Sequence, residues 1–269
     1  MQLGLGSYAC AWAIGVPGSP PPEPMDSIGL IQRASSLGLR LIQIADNLPL
    51  EKCSDGELKR IRDAARDHEI GIEVGTRGIS GGHLPRMLEI CELFASPILR
   101  VVVDTREHHP SPDEVIAAVR NFLPALRRAN VSLAIENHDR FTTATLASII
   151  ERIGSPDVGI CLDTVNSFGS LEGPQVVAER LAPLVINLHI KDFAIERAGH
   201  MMGFTVTGAP AGEGRLDVPW LLDKLRSAGR DPNAILELWP APEAEISATI
   251  RKEEEWCQAS VRYLRTYIP

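Results

Sequence analysis

Short apolar runs alternate with amphipathic segments along the whole chain, and this alternation limits the fold more than any other feature. The runs occupy residues 2–7, 39–45, 71–75, 98–103, 131–136, 158–162, 184–190 and 234–238. Each is short enough for a strand, and turn residues bound it. Two of the segments between them carry clear helix starts. "SDGELKRIRDAARDH" places Ser54 and Glu57 at capping-box spacing, with Leu58, Ile61 and Ala65 on one face. "SPDEVIAAVRNFLPALRRA" repeats the pattern with Ser111, Pro112 at the first helical position and Glu114. Its apolar stripe is Val115, Val119, Phe122 and Leu126, and Pro124 is expected to kink it. "GSPPPEP", Gly18 to Pro24, reads as the loop between the first strand and the first helix, and no composition shift marks a linker. Eight strand–helix units in roughly 250 residues describe a TIM barrel. The expectation is therefore an α/β chain forming a single (β/α)8 TIM barrel domain over residues 1–269. A doubly wound sheet would want a phosphate loop after its first strand, and "GLGSYA" lacks GxGxxG spacing.

In a TIM barrel the reactive side chains stand at the C-terminal ends of the strands. The last four runs end in Glu136, Asp163, His189 and Glu237. Side chains alternate along a strand. Val131, Leu133 and Ile135 therefore oppose Glu136, Val158, Ile160 and Leu162 oppose Asp163, and Ala234, Leu236 and Leu238 oppose Glu237. In "NLHIKDF" and the Ile186 before it, the apolar Ile186, Leu188 and Ile190 fall on one face, with Asn187, His189 and Lys191 on the other. Every aliphatic set can then face the helices while every polar terminal residue faces the barrel axis. A lone acid at a strand end is usually a loop cap or a surface residue. Three carboxylates converging with one imidazole would repel one another unless a cation neutralised them. The donor set suits one divalent metal ion, with Mn²⁺ or Mg²⁺ favoured and Co²⁺ or Zn²⁺ also compatible. Lys191, one pleat beyond His189, can either hold a substrate oxygen or pair with Asp192 or a neighbouring acid. The Gly-rich stretch before Glu237, "ERAGHMMGFTVTGAPAGEGRLD", is long enough to cover the pocket mouth.

Charge and composition narrow the partners. A formal charge of −8 argues against nucleic acid and against anionic membranes, which need clustered positive charge. Five scattered cysteines without a CxxC pair read as reduced thiols. The N-terminal "MQLGLGSYACAWAIG" has no basic start and is too short for a span. A cytoplasmic protein is expected.

Taken in order, "IENHDRFTT", "VGICLDTVNSF", "NLHIKDF", "PAGEGRLDVPWLLDKL" and "ILELW" resemble the sugar phosphate isomerase/epimerase superfamily, the xylose-isomerase-like TIM barrels. The resemblance implies a mononuclear site on Glu136, Asp163, His189 and Glu237 and a small carbohydrate as substrate. It also implies that Glu136 and Glu237 form an acid/base pair working beside a carbonyl, with an enediolate as intermediate. Many epimerases carry a histidine where Asn166 stands. Their arginine after the metal histidine has only Arg197 as a nearby counterpart. His138, two residues after Glu136, can touch substrate or be satisfied by a backbone carbonyl. Tyr8 and Trp12 can wall the pocket, and Trp239 lies just past Glu237. Arg77 or Arg106 could bind a substrate phosphate.

The resulting expectation is a divalent-metal-dependent isomerase or epimerase of a keto sugar or related ketone. A lyase or dehydratase expelling a β-leaving group on the same site is the alternative. A metal-dependent nuclease would want a histidine at position 166 and a basic face. Members of the superfamily often associate, so a homo-oligomer is an open expectation.

Overall fold

The computed structural model describes residues 1–269. Seven consecutive barrel strands are β1 (Leu3–Gly6), β2 (Leu41–Ile44), β3 (Gly71–Arg77), β4 (Ile98–Val102), β5 (Ser132–Glu136), β6 (Val158–Asp163) and β7 (Val185–Ile190). A hairpin, β8 (Asp192–Arg197) and β9 (Phe204–Ala209), follows before the last barrel strand, β10 (Ala234–Leu236). The barrel closes in the order β1–β10–β7–β6–β5–β4–β3–β2, with every neighbouring pair parallel. The fold is a (β/α)8 TIM barrel. Each expected apolar run overlaps one barrel strand, with β3 extending to Arg77 and β6 to Asp163 beyond the expected ends.

The helices are α1 (Ala11–Ile14), α2 (Ser27–Ser36), α3 (Asp55–Asp67), α4 (His83–Phe94), α5 (Pro112–Ala129), α6 (Thr143–Ile153), α7 (Pro174–Leu181), α8 (Val218–Ser227) and α9 (Ile246–Leu264). Both expected capping boxes form, Ser54 with Glu57 on α3 and Ser111 with Glu114 on α5. Pro124 sits inside α5, which runs through it as one helix. Apolar faces of strands and helices merge into a single cluster of 66 buried residues. A separate small cluster of Ile98, Ala134 and Cys161, with Ile186 against it, lines the barrel interior.

The chain between β1 and α2 is more structured than the sequence suggests. A 3₁₀ turn (Ser7–Cys10) and α1 precede the proline-rich loop. A four-residue helix has no room for a periodic pattern, and this one is held from outside. The Glu253 carboxylate on α9 accepts hydrogen bonds from the backbone N–H groups of Trp12 (2.9 Å) and Ala13 (3.1 Å). Burial raises the Glu253 pKa to about 7, although those two bonds pull it down. A raised carboxyl pKa means that the folded state holds a proton the unfolded chain has already released. Between the ordinary glutamate range and pH 7, stability therefore falls as pH rises, by up to about 3 kcal/mol from this group. Urea unfolding of wild type and Glu253→Gln at pH 5 and pH 7.5 should show that extra slope in wild type only. Equal slopes would contradict it.

Two local features aim the site. The register between β6 and β7 shifts between Ile160 and Cys161, so that Asp163 comes to stand beside His189. Bulges of this kind commonly re-aim side chains beside functional sites. At Gly6 an added Cβ would lie 2.9 Å from Glu237 Cγ, so the missing side chain is what gives that glutamate room. The hairpin that follows β7 stands over the barrel mouth, with Ile195 opposite Val206. No helix is long and apolar enough to cross a membrane.

Candidate active site at the barrel mouth

Alternation puts Glu136, Asp163, His189 and Glu237 on the interior face of β5, β6 and β7 and just past the end of β10, and all four are buried. They converge on one atom, His189 Nδ1. Glu136 Oε2 lies 3.3 Å from it, Glu237 Oε1 3.5 Å and Asp163 Oδ2 3.7 Å. Asp163 Oδ1 is occupied elsewhere, accepting from the backbone N–H of Val165 and of Asn166 at 2.8 Å each. This turn leaves Oδ2 facing the cluster.

A buried polar network fixes the His189 ring. Gln43 Nε2 donates to Glu73 Oε2 (3.1 Å) and to Asn187 Oδ1 (3.0 Å). Asn187 Nδ2 donates to Glu73 Oε2 (2.8 Å), and Asn233 Nδ2 donates to Glu73 Oε1 (2.8 Å). With its amide nitrogen committed to acceptors, Gln43 must turn Oε1 toward His189 Nε2, 2.7 Å away. The imidazole therefore donates from Nε2 and offers the lone pair of Nδ1 to the cluster, as a metal-ligating histidine does. Gln43→Met removes the acceptor and should weaken Mn²⁺ binding by about 10- to 100-fold. Calorimetric titration measures the change; equal affinities in wild type and Gln43→Met would refute the assignment.

Four atoms here are buried with no hydrogen-bond partner: Asp163 Oδ2, His189 Nδ1, Glu237 Oε1 and Glu237 Oε2. Lys191 Nζ lies 2.9 Å from Asp163 Oδ2 and 2.8 Å from Glu237 Oε2. It approaches outside hydrogen-bonding geometry, so these oxygens are paired in charge yet accept no bond. Burial works against the charge of His189, yet Cys161, Glu237 and Glu136 around it raise its pKa well above that of a free imidazole. Burial likewise opposes the Lys191 ammonium, and Asp163, Glu237 and Glu136 outweigh it and raise the pKa. Orphaned oxygens around an unpartnered ring nitrogen, in a field that attracts positive charge, fit a divalent cation, which would take the place of the ring proton on Nδ1. Asp163, His189 and Glu237 would hold it, with Glu136 Oε2 in reach.

Glu136 is clamped from both sides. Arg100, fully interior on β4, donates from Nε to Glu136 Oε2, and Asn166 Nδ2 donates to Oε1 at 2.7 Å. Arg100 also reaches Asp46 Oδ1 (3.3 Å), and Asp46 Oδ2 takes Arg77 Nε at 3.1 Å. Strand alternation puts Asn187 on the inward face without a role, and Arg100, Gln43 and Glu73 are not singled out by motif or spacing. Their signal is a polar residue in the middle of an otherwise aliphatic strand: "ILRVV", "LIQI" and "IEVG".

Two cavities open above the cluster and share Asp139. One, about 460 Å³, is walled by Val165, Phe168, Ile195, Val206 and Trp239, with Lys191 and Asn166 at its polar side. The other, about 500 Å³, is polar and includes Tyr8, Arg77, Arg106 and His138. Tyr8 donates to Asp46 Oδ2 at 3.2 Å. His138 lies beyond the end of β5, half-buried, with Nδ1 3.1 Å from Asp139 Oδ2 and not from a backbone carbonyl. Trp12 lines neither cavity, since its Nε1 donates to Pro240 O at 3.0 Å. Arg197 is not brought to the site. It ends β8 on the exposed part of the hairpin, stacked over Phe204 at 4.3 Å.

Asp192 of "NLHIKDF" shapes the following loop. Its Oδ1 accepts from the N–H of Phe193 (2.7 Å) and Leu216 (2.9 Å), and Oδ2 from Gly212 (2.9 Å) and Gly214 (3.1 Å). A Cβ on Gly214 would stand 2.1 Å from Asp192 Oδ1, so "AGEG" can wrap the carboxylate only as glycine there. Lys191 therefore pairs with acids of the cluster and not with Asp192.

A family model described as xylose isomerase-like TIM barrel matches residues 31–267. The chain is 35% identical over 269 residues to a 3-oxo-isoapionate decarboxylase of Pectobacterium atrosepticum, covering 100% of this chain and 97% of that relative. Among solved structures it is similar to D-psicose 3-epimerase with D-tagatose from Clostridium cellulolyticum, with a TM-score of 0.75 and 14% identity over 100% and 99% of the two chains. It is also similar to a xylose isomerase-like TIM barrel protein of Mycobacterium smegmatis in complex with magnesium, with a TM-score of 0.69 and 14% identity over 98% and 97%. At these identities the two structures show likeness of fold.

Proposed function

The chain belongs to the family of xylose isomerase-like TIM barrels, and from that premise we propose that it is a divalent-metal-dependent lyase releasing CO₂ from a 3-oxo sugar acid. The observation that carries this reading is the clamp on Glu136. Inverting a carbon centre needs one base on each face, each with an oxygen free to take or return a proton. Glu136 accepts a hydrogen bond on each oxygen, from Arg100 and Asn166, whereas Glu237 accepts none and is held by charge, with Lys191 Nζ 2.8 Å from its Oε2. Loss of CO₂ from a 3-oxo acid needs no base, only a place for the electron pair and one proton donor. The full-length relative named as a 3-oxo-isoapionate decarboxylase supports the same choice. This differs from both expectations raised by the sequence: it is a lyase reaction, but one that loses CO₂ without proton abstraction and without a β-leaving group.

Lys191, the cationic side chain that lines the apolar cavity, gives a substrate carboxylate a counter-charge there. The ion, with Mn²⁺ or Mg²⁺ preferred by this oxygen-rich set, supplies positive charge where negative charge develops on the keto oxygen. Lys191 and Asn166 bind and orient the polar end of the substrate at the floor of the apolar cavity. Val165, Phe168, Ile195, Val206 and Trp239 exclude water from the carboxylate, which favours its departure as neutral CO₂. As the carbon–carbon bond breaks, its electron pair passes to the α-carbon and keto oxygen. Lys191 Nζ then delivers one proton to the α-carbon and regains it from water, leaving a ketone one carbon shorter.

The test is incubation of the Mn²⁺-loaded protein in D₂O with 3-oxo-isoapionate, and separately with D-fructose and D-tagatose. CO₂ release with one deuterium at the new carbon–hydrogen bond is the expected result. Deuterium exchange into a ketose without CO₂ would restore the isomerase reading, and loss of water would indicate a dehydratase.

A further inference from the structure

The interior face of β6 carries a second candidate ligand, one pleat below Asp163. Cys161 is fully buried, and its Sγ lies 3.3 Å from Asn187 Oδ1 and 4.0 Å from Glu136 Oε2. A sulfur of Cys161, a carboxylate oxygen of Glu136 and a ring nitrogen of His189 all lie within 4.8 Å of one another. A second trio of Asp163, His189 and Glu237 meets the same limit, so His189 belongs to both. His189 Nδ1 is buried, unpartnered and 3.3 Å from Glu136 Oε2, an oxygen that already accepts from Arg100 Nε and can ligate only through its second lone pair.

We infer that the barrel holds two alternative metal seats sharing His189: an outer oxygen-rich seat on Asp163 and Glu237, and an inner seat on Cys161 and Glu136 that takes thiophilic ions. Soft ligands select Zn²⁺, Cd²⁺ and Co²⁺ over Mn²⁺ or Mg²⁺, while carboxylates suit the hard ions. Occupying the inner seat breaks the S–H bond of Cys161, forms a sulfur–metal bond and sends the proton to solvent. It also draws the cation deeper, away from Lys191 and the apolar cavity. A protein loaded with zinc or cadmium is then metal-bound but idle, so ion identity decides whether the site works. This rests on the reading of His189 and Glu136 as metal ligands.

The experiment is titration of metal-free protein with Co²⁺ and Cd²⁺, for wild type, Cys161→Ser and Cys161→Ala, with circular dichroism confirming the fold. Wild type should show a near-ultraviolet sulfur-to-cobalt charge-transfer band at one equivalent. Both variants should lose it and bind Cd²⁺ more weakly, on the order of a hundredfold, with Mn²⁺ affinity unchanged. Visible cobalt bands without a charge-transfer band in wild type would overturn the inner seat and leave the outer one standing. A charge-transfer band that survives in both variants would place the sulfur elsewhere and overturn it too. Wild type that binds no Co²⁺ at all would overturn the metal reading itself.

Discussion

Lys191→Met is expected to lower the rate of CO₂ release by about a thousandfold while leaving a divalent cation bound. Methionine keeps the length of the side chain and removes the proton and the charge. In the folded protein the ammonium stands 2.9 Å from Asp163 Oδ2 and 2.8 Å from Glu237 Oε2, both candidate ligands. Without it a cation meets less positive charge, so Mn²⁺ affinity should hold or rise. Metal-free protein should move the other way. Removing one partner from a buried ion-paired cluster leaves unbalanced charge and costs about 3–5 kcal/mol. Cation binding should restore that stability by mass action. Single-turnover kinetics, calorimetric Mn²⁺ titration and thermal melts with and without metal read the three effects separately. Activity within tenfold of wild type would remove Lys191 from the chemistry; loss of Mn²⁺ binding would make it a structural support of the metal seat.

The second large effect concerns stability. Asp192→Ala should destabilise the protein by about 4 kcal/mol or more, because four backbone N–H groups lose their acceptor together. The residue is buried, so water cannot replace the carboxylate without opening the Pro210–Asp217 loop. Asp192→Asn should cost less, since one oxygen remains, but its amide would face the N–H of a neighbour. Urea midpoints compared at constant slope measure the loss. A change below about 1 kcal/mol would mean that the loop holds without this residue.

Much of this molecule was legible before any coordinates. The eight apolar runs became the eight barrel strands, and Ser54–Glu57 and Ser111–Glu114 became real capping boxes. Parity assigns Glu136, Asp163, His189 and Glu237 to the inward face, and the fold brings the three carboxylates to His189 Nδ1. Two residues depart from what linear position implies. Distance after His189 points to Arg197, but β8 turns into a hairpin and carries it outward. Position after β1 points Trp12 at the pocket, yet α1 turns its indole toward Pro240. Linear spacing holds only while the chain keeps one conformation, and both segments change direction within a few residues.

What the sequence determined by itself is local: which residues form strands and helices, and which side of each strand a residue takes. Period and capping depend on neighbours a few positions away, so they can be read in one dimension. Only the tertiary structure decided which inward residues meet. Gln43 reaches Asn187, Glu73 reaches Asn233, and Arg100 closes on Glu136. These partners are set by barrel closure between β1 and β10 and by the bulge between β6 and β7. A register shift of one residue would turn every side chain of a strand to the other face. The proposed chemistry depends on those long-range meetings, because they leave Glu237 without hydrogen bonds beside Lys191, clamp Glu136 and turn one nitrogen of His189 toward the candidate metal seat.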